Sequence, residues 1–361
     1  MAASLGAVHQ FHPVVTFGDA ISNHLISLQR ILHGWGRRSD IISEYPQPSF
    51  EVAARSFHQY RRSISPDDVF LLHHSMGYSP QVMDWVHRLP GRKVLIYHNI
   101  TPAEYFVGVN NAYREAAWLG RQQLQQIVPL VNQGWGDSAY NCQELTVAGF
   151  GPCRVLPIVF DPSVYDVQPD LMMLDRLRSE PGPIVIFVGR VAPNKRLEDV
   201  ILAYCHLKRH VQPEARLYLV GSSHQMEPYR GYLEALVARL GLTDVHFVGH
   251  VSKAELVALY QCADLFLCMS EHEGFGVPLI EAMHFGVPVV AYSSTAVPET
   301  MGDAGVQIVR KDFANVAELL GMLLEDGDLR SRVIERQRER VRHFHPTSVA
   351  EILAGHLESL R

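Results

Sequence analysis

Two glutamates, Glu273 and Glu281, bracket a glycine loop in the segment SEHEGFGVPLIEAMHFGVPVVA, residues 270–291. Between them stand Gly274, Phe275 and Gly276, and Pro278 falls where the first helical position would be, so the spacing predicts Glu281 in that helix's first turn. Glycine lets a backbone approach a ligand closely, and the free N–H groups of a helix start favour an anion such as a phosphate. Carboxylates are poor phosphate ligands but good acceptors for hydroxyls. One on each side of the loop therefore suits a sugar on either side of a diphosphate. The plainer reading is a favourable first-turn acid, a solvated glutamate and glycines that serve a turn.

A second feature joins it. In VGRVAPNKR, residues 188–196, Arg190 and Lys195 follow directly from an apolar run. A metal-free site that holds a departing diphosphate needs fixed cations, and an arginine with a lysine supplies a planar fork and a point charge. For isolated lysines and arginines a solvated loop is the ordinary explanation. At the end of a strand the pair points instead to a ligand.

The elements that must position these residues are parallel α/β units. Short apolar, β-branched runs alternate with amphipathic segments along the whole chain. In the second half, PIVIFVGR, ARLYLVGS, DVHFVGH, DLFLCMS and VPVVAYS read as five strands of a doubly wound domain, and several run into glycine or a polar residue at their carboxyl ends. Ligands bind at that edge of an open α/β sheet. In the first half DVFLLHH (68–74) and KVLIYHN (93–99) read as buried parallel strands, and residues 21–32 as a helix closed by Gly34 and Gly36. The polar, Pro-marked stretch 161–183 reads as a linker. The end of the chain, from about Asn315, reads as two amphipathic helices broken near His345-Pro346, the last of them able to cross back to the first half. Two such halves place a functional site in the cleft between them.

Composition bounds the partners. With 361 residues, 47% of them hydrophobic, the chain is long enough for about two domains with proper cores, which excludes intrinsic disorder for most of it. A net charge of -6 and the lack of a long basic run argue against a nucleic-acid partner. Five widely spread cysteines, Cys142, Cys153, Cys205, Cys262 and Cys268, form no C-x-x-C pair and read as buried apolar residues in a reducing compartment. The amino terminus has no positively charged leader before a long apolar core, and nowhere do eighteen apolar residues run together, so a cytoplasmic, soluble or peripheral protein is expected.

These residues resemble glycosyltransferase family 4, the retaining nucleotide-sugar-dependent transferases of GT-B fold. The E-x7-E motif from Glu273 to Glu281, the GR-x4-K element with Arg190 and Lys195, and the LVGS, FVGHV and GVPVVA runs carry the resemblance. It spans nearly the whole second half and, more loosely, the first. It implies two Rossmann-like doubly wound domains facing a central cleft: an acceptor domain of residues 1–165 completed by the helix 346–361, and a donor domain of residues 182–345.

It further implies that Arg190 and Lys195 bind the donor diphosphate, with support from the amides of Gly274, Phe275 and Gly276. Glu273 would hold hydroxyls of the transferred sugar, Glu281 the nucleotide ribose, and the backbone around His250 and Val251 the base. In the first half the family has a Gly-Gly pair where this chain has Phe17-Gly18-Asp19, with Gly18 against the donor diphosphate and the role of Asp19 open. His98 resembles the family's histidine beside the reacting centre. It stands against the alternative that one histidine of nineteen at a strand end is structural, and His73 and His74 share that ambiguity. Ser138 and Asn141 are expected to line the cleft.

The implied reaction moves a hexosyl group from a nucleoside diphosphate sugar, GDP- or UDP-linked, to an acceptor hydroxyl with retention. Attack comes from the face of the leaving group, whose oxygen takes the acceptor's proton, so no dedicated protein base is required. A double displacement would need a carboxylate under the anomeric carbon, for which Glu273 is the sole nominee. No cofactor or metal is implied: Asp326-Gly327-Asp328 spells the D-x-D of metal-dependent transferases of another fold, but sits between amphipathic segments and reads as a helix-helix turn. The context of SEHEGFGVP looks most like bacterial polysaccharide or O-antigen transferases, with GDP-mannose the favoured donor and a glycan, lipid-linked or small-molecule acceptor. A nucleotide-sugar 2-epimerase of the same fold and a catalytically silent sugar-nucleotide binder are the rival readings. Arg55, Arg61, Arg62, Arg88, Arg92 and Lys93 give the first half a basic tendency that suits an acidic membrane surface or is merely scattered solvated charge.

Overall fold

The computed structural model describes residues 6–16, 19–46, 54–60 and 64–360. They divide into two compact units, one of Met1–Ala103, Ala112–Asp161 and His343–Arg361, the other of Glu104–Asn111 and Pro162–Arg342.

The first unit is built on a seven-stranded, wholly parallel sheet. Its strands are β1 (Val8–Val15), β2 (Ile41–Pro46), β3 (Arg55–Ser56), β4 (Val69–His74), β5 (Arg92–Tyr97), β6 (Gln133–Gly136) and β7 (Arg154–Val155), in the order β3-β2-β1-β4-β5-β6-β7. All six residues of β4 are buried, as a strand covered on both faces requires. One face of the sheet packs Val8, Val69, Leu71, Val94, Ile96 and Trp135 against the helix Ala20–Gly34 through Leu28 and Leu32. Val349, Leu353 and Leu357 of the last helix, Pro346–Glu358, enter the same core, so the end of the chain completes the first unit.

The second unit carries a six-stranded parallel sheet of β8 (Ile184–Val188), β9 (Arg216–Val220), β10 (Val245–Gly249), β11 (Leu265–Cys268), β12 (Val289–Tyr292) and β13 (Val306–Ile308), ordered β10-β9-β8-β11-β12-β13. The order reverses at β8, which lies between β9 and β11, the switch point of a doubly wound sheet. Each unit is thus a Rossmann-like α/β fold.

The chain differs from its sequence-based reading in three places. β13 was not anticipated, because its three residues are half-buried and too few to show a period. The stretch 161–183 is not a plain linker: Leu171–Ser179 is a helix capped by Asp170, and its buried Leu174 and Leu177 hold it in the second unit, whose main segment starts at Pro162, close to the expected end of the first domain at residue 165. The carboxyl-terminal region holds three helices, Phe313–Glu325, Gly327–Val341 and Pro346–Glu358, with a break at Asp326 besides the expected one. Among the described residues no helix is long and apolar enough to cross a membrane.

Gly221, just past β9, has φ +142°, and a Cβ there would stand 1.9 Å from the carbonyl oxygen of Gly189 just past β8. Neither backbone can yield, because Gly189 N–H donates to Val220 O at 2.9 Å and Gly221 N–H to Gly249 O at 2.8 Å. Gly221→Ala is expected to destabilise the second unit by about 2 kcal/mol or more, read as a fall in its denaturant midpoint.

Candidate active site

In the second unit the carboxyl ends of β8 and β11 bring the two sequence motifs together. After β8 the chain turns through a short 3-10 turn, Pro193–Lys195, and Arg196 takes a left-handed φ of +49°. This turn aims Lys195 at the loop after β11, where Lys195 Nζ lies 2.6 Å from Glu273 Oε2. Asn194 locks the two loops by donating from Nδ2 to His272 O at 3.0 Å and accepting from Glu271 N at 2.9 Å. Thr295 closes the other side: Glu273 N donates to its Oγ1 at 2.9 Å, and Oγ1 donates to Glu273 O at 3.0 Å. Glu273 is 9% exposed. The carboxylate is thus held between the ammonium on one side and the Thr295-braced loop on the other. Arg190 reaches across the strand ends, its Nη2 donating to His224 O at 3.1 Å.

The glycine loop leads into the helix Val277–His284. Gly276 is its N-cap at φ +96°, where a Cβ would press on Leu279 Cδ1 at 2.9 Å. Pro278 is therefore the second helical residue and not the first. Glu281 is the fifth, one residue later than expected and just past the first turn. Its carboxylate is buried and already satisfied: Tyr165 donates to Oε1 through a short bond, and Tyr260 donates to Oε2 at 2.8 Å. Burial and the neighbouring carboxylate push both phenols well up, so they remain donors at every physiological pH. Tyr260→Phe is expected to cost about 1–3 kcal/mol, because it strips a buried carboxyl group of one donor, and urea unfolding of the second unit measures it. His250 is exposed and Val251 half-buried just beyond β10. Phe275 is buried, and its carbonyl accepts from Thr300 Oγ1 at 2.6 Å.

In the first unit, His98 follows β5 as expected, but its imidazole is not presented to a ligand. Its side chain is 1% exposed; Nδ1 meets Asp137 Oδ2 at 2.7 Å and Nε2 meets His73 Nδ1 at 2.8 Å. His73 Nε2 in turn meets Gln10 Oε1 at 3.2 Å, and Gln10 Nε2 donates to Leu25 O at 2.9 Å. The His24 ring packs 5.8 Å from that of His98, centroid to centroid. Burial lowers His98 and His24 to about 3 and raises Asp137 to about 8, so every member of the cluster is driven toward its neutral form. Direct contact of His98 Nε2 with a sugar would require it to leave His73.

Ser138 and Asn141 are buried rather than surface-lining. Ser138 caps the helix Ala139–Val147, and Asn141 bonds Tyr97 O at 3.1 Å and Asn99 Nδ2 at 2.9 Å. Asp19 is the N-cap of the helix Ala20–Gly34, accepting from Ser22 N at 3.0 Å. Gly18 lies outside the described residues, as do Arg61 and Arg62. Arg55 pairs with Asp40 at 3.1 Å, and Lys93 Nζ bonds Leu89 O at 2.8 Å. Asp326 accepts from Asp328 N at 3.0 Å and from Leu329 N at 2.9 Å, so the D-x-D string is a helix start.

Residues 175–340 match the glycosyl transferases group 1 family. The chain is 29% identical, across 164 residues, to the O-antigen chain mannosyltransferase B of Escherichia coli. It is 35% identical, across 167 residues, to the N-acetyl-alpha-D-glucosaminyl L-malate synthase of Bacillus anthracis. These stretches are 44 and 45% of this chain and 41 and 42% of those proteins, so the chain aligns with less than half the length of either relative. The whole fold is similar to that of HepE from Anabaena, solved with UDP and glucose, at a TM-score of 0.74 and 18% identity over 98% of this chain and all of that one. Sucrose-phosphate synthase from Thermosynechococcus elongatus aligns over 98% of this chain and 99% of its own at the same TM-score and identity. The fold is therefore GT-B.

The group 1 region also holds a charge network that the sequence reading did not single out. Arg196 lies 3.0 Å from Glu198, 3.3 Å from Asp199 and 3.4 Å from Glu271; Lys311 Nζ lies 2.7 Å from Asp199 and 2.9 Å from Glu271. Two cations and three carboxylates thus tie the segments after β8, β11 and β13 together. Only the run Arg196-Leu197-Glu198-Asp199 hinted at it, and Lys311, more than a hundred residues on, had no local signal.

Proposed function

We propose that this chain is a retaining glycosyltransferase of family 4 that moves a hexosyl group, mannosyl foremost, from a nucleoside diphosphate sugar to an acceptor hydroxyl. The observation that carries the reading is the Lys195–Glu273 pair, locked at the carboxyl edge of the second sheet beside the Gly276-capped helix. In the free protein the ammonium neutralises the carboxylate. With donor bound, the diphosphate takes Lys195 and Arg190, and Glu273 is released to accept hydroxyls of the sugar.

Glu281 sits on the same helix, and a ribose hydroxyl would compete there with Tyr165 and Tyr260 for its oxygens. His98, held by Asp137 and His73, fixes the end of β5. The acceptor hydroxyl attacks the anomeric carbon from the leaving group's face, its proton passes to the departing diphosphate oxygen, and the protein supplies charge and orientation. The relatives named as a mannosyltransferase and a malate glucosaminyl synthase support the class, and the acceptor is a glycan, a lipid-linked sugar or a small hydroxylated molecule.

Release of nucleoside diphosphate from GDP-mannose and from UDP-sugars, measured with and without acceptor, tests the proposal. Acceptor-dependent release supports it, whereas release without acceptor together with an epimerised sugar identifies the 2-epimerase reading. The D-x-D string is a helix start, and turnover is expected to be unchanged in EDTA. Loss in EDTA with recovery on adding manganese would overturn the metal-independent route.

A further inference from the structure

Cys142 and Cys153 face one another in the first unit with their Sγ atoms 2.7 Å apart, and neither is fully buried. The sequence reading placed all five cysteines in the apolar interior; these two instead share one spot at the edge of the first sheet. Cys142 is the fourth residue of the helix Ala139–Val147, and Cys153 immediately precedes β7. The packing that joins them is backbone-deep: Gly136 at the end of β6 leaves only 3.0 Å between a notional Cβ and Cys142 N, and Gly136 pairs with Val155 in the β6–β7 register. The helix start and the strand start are therefore held in place whether or not the sulfurs are joined.

We propose that Cys142 and Cys153 form a reversible dithiol–disulfide site that takes two electrons' worth of oxidation from small-molecule disulfides of the glutathione class. The chemistry assigns the roles. Cys153 Sγ–H donates to Cys142 Sγ, so Cys142 is the accepting sulfur and the one that gives its proton to solvent first. It attacks one sulfur of the small disulfide and expels the other as a thiolate, which takes up a proton. Cys153, having given its proton to solvent, then attacks Cys142 Sγ in the mixed disulfide, closes the protein disulfide and releases the second small thiol.

Two protein thiols are oxidised, one small disulfide becomes two thiols, and no other reductant or oxidant is needed. The closed bond ties the first turn of the helix Ala139–Val147 to β7. That turn follows Asp137, the partner of His98, and carries Asn141, the partner of Tyr97 and Asn99. In a reducing compartment such a bond is transient, which suits a sensor better than a structural staple.

The full-length reduced protein is incubated with oxidised glutathione, alkylated and digested, and its cysteine peptides are mapped by mass spectrometry. The expected result is a peptide pair joined through Cys142 and Cys153 that disappears on adding dithiothreitol. Cys262, also half-exposed but alone, should form at most a mixed disulfide, and buried Cys205 and Cys268 should stay unmodified. In Cys153→Ser the same treatment should leave Cys142 as a stable glutathione adduct, with the thermal transition unchanged. Separate alkylation of Cys142 and Cys153 at every glutathione ratio, or glutathione on both without a cross-link, would overturn the proposal. Should Cys153→Ser not fold, the wild-type map decides alone.

Discussion

Lys195→Ala is expected to lower kcat/KM for the nucleotide-sugar donor by about 10²–10³-fold, the usual loss when one fixed group that stabilises developing charge is removed. The geometry says why the effect should be large and mostly chemical. Lys195 Nζ is 2.6 Å from Glu273, on a turn held by Asn194 to His272 and Glu271, so the charge is pre-positioned and no reorganisation is needed when the diphosphate departs. The substitution also leaves Glu273 9% exposed without its cation, but Thr295 still holds both its backbone N–H and its carbonyl.

The loop should therefore keep its shape, and circular dichroism and the thermal transition should confirm folding before rates are compared. Glu273→Gln should lower kcat at least as much while preserving the hydrogen-bonded loop. Because the two groups act on one another, the double variant should lose far less than the product of the single losses. A Lys195→Ala protein that turns over at the wild-type rate would remove the lysine from the mechanism.

The first unit should lose stability steeply in mild acid. His12 and His74 are lowered to about 4, His24 and His98 to about 3, and His73 well below its usual range, all by burial first. A folded pKa below the unfolded one means that, as pH falls below about 6.5, the unfolded chain binds protons that the folded unit refuses, so stability falls with pH. Asp137 acts in the opposite sense. Raised to about 8, it keeps a proton that the unfolded chain releases above about 4, and so it offsets one histidine across that window.

Each remaining proton is worth about 1.4 kcal/mol per pH unit, so the cluster spends several kcal/mol per unit below pH 6.5, comparable to a domain's whole stability. The measurement is the thermal midpoint at pH 7.5, 6.5 and 5.5. In His24→Asn, where Oδ1 can replace Nδ1 as acceptor for Val159 N–H, the slope should shrink by about one proton. A midpoint flat from pH 7.5 to 5.5 would contradict the neutral-histidine cluster.

Much of this protein is local in its sequence. The runs VFLLHH, VLIYHN and IVIFVG become parallel strands because continuous β-branched and apolar residues can be buried only inside a sheet covered on both faces. Arg190, Lys195, Glu273 and the glycine loop were legible as a candidate site because each follows a strand, at the edge where a doubly wound fold exposes its ligands. The helix Pro346–Glu358 was read correctly as returning to the first half, its buried Val349, Leu353 and Leu357 recurring at helical spacing.

What the sequence could not determine were the partners of polar groups distant along the chain. His98 was visible as a histidine at a strand end, but that its ring is consumed by Asp137, 39 residues on, and His73, 25 residues back, depends on three strand ends meeting. Glu281 was read as a first-turn acid for the nucleotide ribose, and only folding brings Tyr165 and Tyr260 onto it from 116 and 21 residues away. Cys142 and Cys153 looked like two of five scattered apolar cysteines until the β6–β7 pairing set them sulfur to sulfur. Periodicity and turn chemistry act over a few residues and are written in the order of the chain. Hydrogen-bond satisfaction of a buried polar atom is settled by whichever group the sheet's crossovers deliver to it, and no local pattern records that.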